Sequence, residues 1–209
     1  MTGKTMTEKK RFFLMRHAKP QLPGDGRIYY GQTDYPLGEE GTADAEKTGA
    51  ALSGIRFDCL YTSDMIRALQ TAEYTAPYLE PHIVPALREI SLGKWEGKGY
   101  DEVRSEFREI YELRGVKFAE TAPPGGESFM ELQKRTVPAF EKIMSQHESG
   151  NILIVAHAAV IWSITAHYLG LDLNDMFFFP QNYCGIHIAE EFSGRLRLCR
   201  YNWSPELRF

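Results

Sequence analysis

Cysteine is scarce in this chain of 209 residues: Cys59, Cys184 and Cys199 are an odd count with no Cys-x-x-Cys spacing. Neither a disulfide framework nor a zinc site is signalled, and a reducing cytoplasm is the simplest expectation. Long apolar runs are missing as well. No stretch approaches the ~20 apolar residues of a membrane span, and the run behind the polar N-terminus, Phe12 to Met15, is too short for a signal-peptide core. There is no basic excess either, because a formal net charge of -4 offers nothing to neutralise a nucleic-acid backbone. Residues 3–5, Gly-Lys-Thr, echo the end of a phosphate-binding loop but lack its earlier glycine and preceding strand. Residues 1–10 are therefore expected to be a disordered leader, and 11–209 one domain.

What is present is strand-helix alternation. FFLM (12–15), FDCLYTS (57–63) and NILIVAH (151–157) read as strands. The third is apolar without alternation, as in a strand covered on both faces. Residues 39–53 suit a helix ended by Gly54, and DMIRALQTAEYTAPYL (64–79) a second one capped by Ser63. HIVPAL is a weak strand because Pro85 interrupts it. DEVRSEFREIYELR is helical by pattern, a helix opens at Glu127-Ser128 and runs to about His147, and 158–170 reads as a helix closed by Gly170. YCGIHIAE and RLRLCRYN make a final strand pair over a Ser-Gly turn. The expected fold is a three-layer α/β/α sandwich with a mostly parallel sheet and a helical lid insertion around 95–135.

Two strands run into histidine: FFLMRHAKP carries Arg16 and His17, and ILIVAHAAVI carries His157. In an open parallel sheet ligands bind beyond the carboxyl ends of the strands, where all three residues fall. Arg67 joins them from the first turn of a helix that starts at another strand end, a position that favours anions. Taken singly, each would pass as a structural residue. Together they gather positive charge that calls for an anion, and guanidinium forks match phosphate oxygens. A neutral imidazole can also attack phosphorus while arginines stabilise the equatorial oxygens. No aspartate cluster for magnesium accompanies these strand ends, so neither metal nor cofactor is expected. A leaving alkoxide needs an acid, and spacing leaves Glu89, Glu96 and Glu127 all open.

LMRHAKP, SDMIRALQTAE, LREISLGKWEG, PPGGES and IVAHAAVI, in this order over about 11–190, resemble the histidine phosphatase superfamily, the phosphoglycerate mutase-like proteins. The resemblance implies a phosphohistidine on His17, Glu89 as general acid and then base, and Arg16, Arg67 and His157 as phosphate ligands. It also implies Gln32, Thr33 and Ala158 as pocket residues. Ala18, Ala158 and Ala159 stand where the family has glycine after each histidine; a methyl group is small, so tolerance is expected, with a narrowed pocket or weakened turnover as the alternative. Lys19 either adds charge at the entrance or points to solvent.

Pro23 and Leu92 replace residues usual in mutases, and Arg104, Arg108 and Arg114 are isolated rather than paired. Water is therefore the expected acceptor. YYGQTDYPL and LGKWEGKGYDEV look most like the α-ribazole phosphatase branch, with α-ribazole 5′-phosphate or another small phosphorylated metabolite as substrate. Mutase-type transfer and an impaired phosphate-ester binding protein are the alternatives. Trp95, Tyr100 and Phe107 stack on an aromatic leaving group or pack within the lid. FFFP at 177–180 is apolar enough for a homodimer interface, or for burial within one chain.

Overall fold

The computed structural model describes residues 9–192 and 194–205. In chain order the elements are β1 (Lys10–Arg16), α1 (Glu39–Leu52), β2 (Cys59–Thr62), α2 (Ile66–Thr75), β3 (His82–Ile83), α3 (Tyr100–Glu106), α4 (Arg108–Val116), α5 (Phe129–Ser145), β4 (Gly150–Ala156), α6 (Ala158–Leu169), β5 (Ile186–Phe192) and β6 (Arg195–Trp203). Residues 1–8 of the expected leader lie outside the described residues, while Lys10, assigned to it, already pairs with Gly150 in the sheet. The turn residue Ser193 also lies outside them.

The sheet order is β3-β2-β4-β1-β5-β6. Pairings from β3 to β1 are parallel, and β1-β5 and β5-β6 are antiparallel. Alternation along the central strands splits the core in two. Phe12, Leu14, Ile152 and Ile154 join the cluster that contains α5 and α6 residues, while Phe13, Met15, Leu153 and Val155 join that of α1 and α2. Each of these eight side chains is at most 3 % exposed, and burying one contributes about 1.5–3 kcal/mol relative to exposure. This is the expected three-layer sandwich, and it fixes β1 and β4 side by side in its centre.

Local chemistry explains where the elements depart from expectation. Helix α2 starts only at Ile66 and stops before Pro77, and Ser63 is not its cap. The lid helix breaks at Phe107 into α3 and α4. HIVPAL holds a two-residue strand, after which Pro85 opens a 3-10 turn. Ser128 caps α5 in a reciprocal box with Glu131. Because α5 packs along α6 in the main layer, the expected lid interval overlaps that layer from Phe129 onward. No helix among the described residues is long and apolar enough to cross a membrane.

Candidate active site

The parallel register pairs Arg16 with Ala156, so the residues that follow, His17 and His157, leave neighbouring strand ends together. Their rings lie 5.0 Å apart. His17 accepts nothing at Nδ1: that nitrogen is 2.7 Å from the Ala18 carbonyl oxygen, and because a carbonyl only accepts, Nδ1 carries the proton. Nε2 therefore keeps its lone pair, and Arg67 Nε donates to it at 3.2 Å. Burial, with Arg67 and Arg16 nearby, holds the His17 pKa well below the usual histidine value.

His157 is fully buried. Its Nε2 lies 2.7 Å from the Ser63 hydroxyl, which explains why Ser63 does not cap α2. Its Nδ1 has no partner. Burial, and then His17 and the arginines, push its pKa well down too.

Arg67 is buried and anchored by carbonyls, donating from Nη2 to Gly31 at 2.6 Å and from Nη1 to Thr33 at 3.0 Å. Gly31 must be glycine, since a Cβ there would collide with the Ile90 carbonyl oxygen. Arg16 donates to the Gln181 carbonyl at 2.5 Å, lies 3.9 Å from the Tyr183 ring centroid, and keeps a buried Nε without a partner. Tyr183 and Tyr30 share a hydroxyl hydrogen bond of 2.5 Å, and the Tyr30 ring faces Arg67. The two tyrosines thus join the two arginines from loops far apart in sequence.

The three candidate glutamates differ in surroundings. Glu96 accepts from the amides of Gly31, Gln32, Thr33 and Leu92 and from the Thr33 hydroxyl. Burial alone would raise its pKa, but these bonds hold it below the usual carboxylate range. Burial of Glu127 is likewise outweighed by the Arg135 and Ser91 bonds. Glu89 accepts at 2.8 Å from the Ile90 amide and at 3.5 Å from that of Ala159. There burial wins, and its pKa is raised. Of the three, Glu89 alone has a raised pKa, the direction in which a carboxyl holds its proton more tightly.

A cavity of about 370 Å³ opens beside Glu89, with Ala158 also in its wall. Gln32 and Thr33 do not line it: the Gln32 amide donates to the Glu89 carbonyl and the Thr33 hydroxyl to Glu96. Ala18, fully buried, joins the α1/α2 core cluster, so its methyl does not narrow the cavity. Lys19 pairs with Glu40 at the surface. Trp95 is buried, whereas Phe177 and Phe178 are 77 % and 81 % exposed. Among the described residues no three His, Cys, Asp or Glu side chains gather to hold a metal ion.

The profile of the histidine phosphatase superfamily (branch 1) matches residues 12–204. The chain belongs to that superfamily. An adenosylcobalamin/α-ribazole phosphatase of Escherichia coli (strain K12) is 28 % identical over 171 residues, covering 81 % of this chain and 84 % of its own. A 2,3-bisphosphoglycerate-dependent phosphoglycerate mutase of Chlamydia pneumoniae is 28 % identical over 184 residues, 72 % of this chain and 80 % of the mutase. The crystal structure of the α-ribazole phosphatase from Shigella flexneri superposes with a TM-score of 0.85 at 26 % identity, covering 92 % of this chain and 96 % of the other.

Sequence reasoning missed Tyr30, Tyr183 and the Ser63–His157 bond. Tyr183 reaches His17 because β1 and β5 run antiparallel, with Met15 opposite Ile186 and the Cys184 amide bonded to the His17 carbonyl. An apolar run gives no sign of that direction.

Proposed function

We propose that this superfamily member hydrolyses phosphate monoesters in two steps. The observation that carries the reading is the unprotonated His17 Nε2, whose lone pair is kept by the Nδ1 bond to Ala18 and faces the buried Arg67. Nε2 attacks phosphorus, the ester P–O bond breaks, and the departing alkoxide takes the Glu89 proton. Arg16, Arg67 and His157 hold the phosphoryl oxygens, with the guanidiniums supplying the positive charge. Glu89, now a carboxylate, takes a proton from water, whose oxygen attacks phosphorus. The P–N bond breaks, Nε2 regains its lone pair, and phosphate leaves.

Similarity to α-ribazole phosphatases makes α-ribazole 5′-phosphate the first ester to test, beside 3-phosphoglycerate, sugar phosphates and nitrophenyl phosphate, all with EDTA. Acid-sensitive phosphoryl labelling that vanishes in His17→Ala is the expected result. Labelling that survives the substitution removes His17 from the nucleophile's role. The mutase relatives support a second reading, in which 2-phosphoglycerate forms once a bisphosphate primer is added. With three cysteines, an odd count without Cys-x-x-Cys spacing, the protein suits a reducing cytoplasm. A homodimer through exposed Phe177 and Phe178 would appear in sedimentation velocity.

A further inference from the structure

The cavity beside Glu89 has walls unlike those of a sugar or glycerate site. Tyr29, Trp95, Tyr111, Phe118 and Phe129 supply aromatic surface, and among the described residues the only charged side chain in it apart from Glu89 is Arg114. The hydroxyls of Tyr29, Tyr30 and Tyr111 also border it, but most of the wall is ring and alkyl surface, on which a flat apolar body gains contact on several faces and a polyol loses hydrogen bonds to water.

Arg114 is out of place in such a wall. It is 8 % exposed, its guanidinium lies 4.8 Å from the Phe118 ring centroid and 5.8 Å from that of Trp95, and Nη1 donates to the Thr121 carbonyl. Among the described residues no carboxylate pairs with it. Burial lowers its pKa to about 10, opposed only by Tyr29. A buried cation without a counter-ion, lining a cavity, is a site for an anion that arrives with the ligand.

Resting on the hydrolase reading above, we infer that the preferred substrate is the phosphate ester of a bulky aromatic alcohol bearing a carboxylate, which binds Arg114. Arg114 is then the specificity-determining residue of the leaving-group side. The competing role is structural, with Arg114 merely tying α4 to the chain at Thr121.

The test compares 2-naphthylmethyl phosphate with 6-carboxy-2-naphthylmethyl phosphate, and both with glycerol 3-phosphate. The wild type should favour the carboxylated ester by about tenfold or more in kcat/KM, and glycerol 3-phosphate should be the poorest. Arg114→Met should remove the carboxylate preference, read as the ratio of kcat/KM for the two naphthyl esters, and Arg114→Lys should restore part of it. Equal rates for the two naphthyl esters in the wild type would overturn the inference. So would an equal loss on both in Arg114→Met, or glycerol 3-phosphate matching the aromatic esters. Calorimetric binding of the corresponding non-hydrolysable phosphonates carries the same comparison without turnover. If no ester is hydrolysed yet the carboxylated phosphonate binds tighter, the hydrolase reading fails and with it the substrate, while the carboxylate site at Arg114 stands; if neither preference appears, the inference fails.

Discussion

Arg67 Nε donates to His17 Nε2 across 3.2 Å, a buried guanidinium against a neutral imidazole. The contact holds the ring with its lone pair directed at a cation's edge, which is where the oxygens of a transferring phosphoryl group would also be bound. The planar fork needs all three of its nitrogens here, for His17, Gly31 and Thr33. Lysine has no such fork. Arg67→Lys should therefore lower kcat/KM by about 10²-fold or more while the protein still folds, as steady-state kinetics and circular dichroism would report together. A loss below about threefold would mean that the guanidinium geometry is unimportant.

Glu89 should betray itself through the leaving group. Departure of an alkoxide needs a proton, whereas nitrophenolate barely does, so Glu89→Gln should slow alkyl esters far more than nitrophenyl phosphate. Because burial raises the Glu89 pKa, the wild-type rate on alkyl esters should fall as pH rises through that raised value. This alkaline limb should be missing from the Glu89→Gln profile. Equal losses on both kinds of ester would assign Glu89 a structural role.

The same burial carries a cost in stability. A folded-state pKa above the unfolded one means that the folded chain binds more protons between the two values, so stability falls as pH rises through the folded pKa. Glu89→Gln removes the charge, keeps the volume, and should melt at a higher temperature than wild type at pH 8, with the gap closing toward pH 4. A thermal scan in which the variant melts lower at pH 8 would contradict this sign.

Glu96 holds the 31–33 loop, whose carbonyls anchor Arg67, through four hydrogen bonds, and accepts a fifth from the Leu92 amide. Hydrogen bonds to a charged group contribute about 1.5–3 kcal/mol each at most, and losses within one network do not add. Glu96→Ala should destabilise the fold by about 2–4 kcal/mol, and should weaken phosphate binding although Glu96 does not touch the substrate. Denaturant melts and a phosphate-inhibition constant measure the two effects separately.

Much of this site was legible because a parallel sheet presents its ligand groups at strand ends. Arg16, His17 and His157 followed from apolar runs that stop in basic or titratable residues, and Arg67 from its place at a helix start. Glu89 did not follow, because three glutamates occupy similar loops and only burial and bonding partners separate them. The family resemblance supplied that choice. Ser63 was misplaced for a related reason: its hydroxyl is committed to His157 across 94 residues of chain, and a local capping rule cannot register such a claim. The aromatic lid was ambiguous between stacking and packing. Trp95 is packed, at 1 % exposed, and also forms part of the cavity wall.

The two buried histidines of the candidate site should make the fold acid-sensitive. Burial, and the positive charges nearby, depress the folded pKa of both His17 and His157. An unfolded chain protonates them near pH 6.5. Below that value the unfolded state binds more protons, so stability is fully present above about 6.5 and is lost as pH falls toward the depressed folded values. His17→Asn cannot titrate, and its stability should decline less steeply than that of the wild type between pH 6.5 and 5. Inorganic phosphate at pH 7 should bind among Arg16, Arg67 and His157 and raise the melting temperature with concentration. That rise should be largely absent in Arg67→Lys, which tests whether the gathered cations form one anion site or only stand near one another.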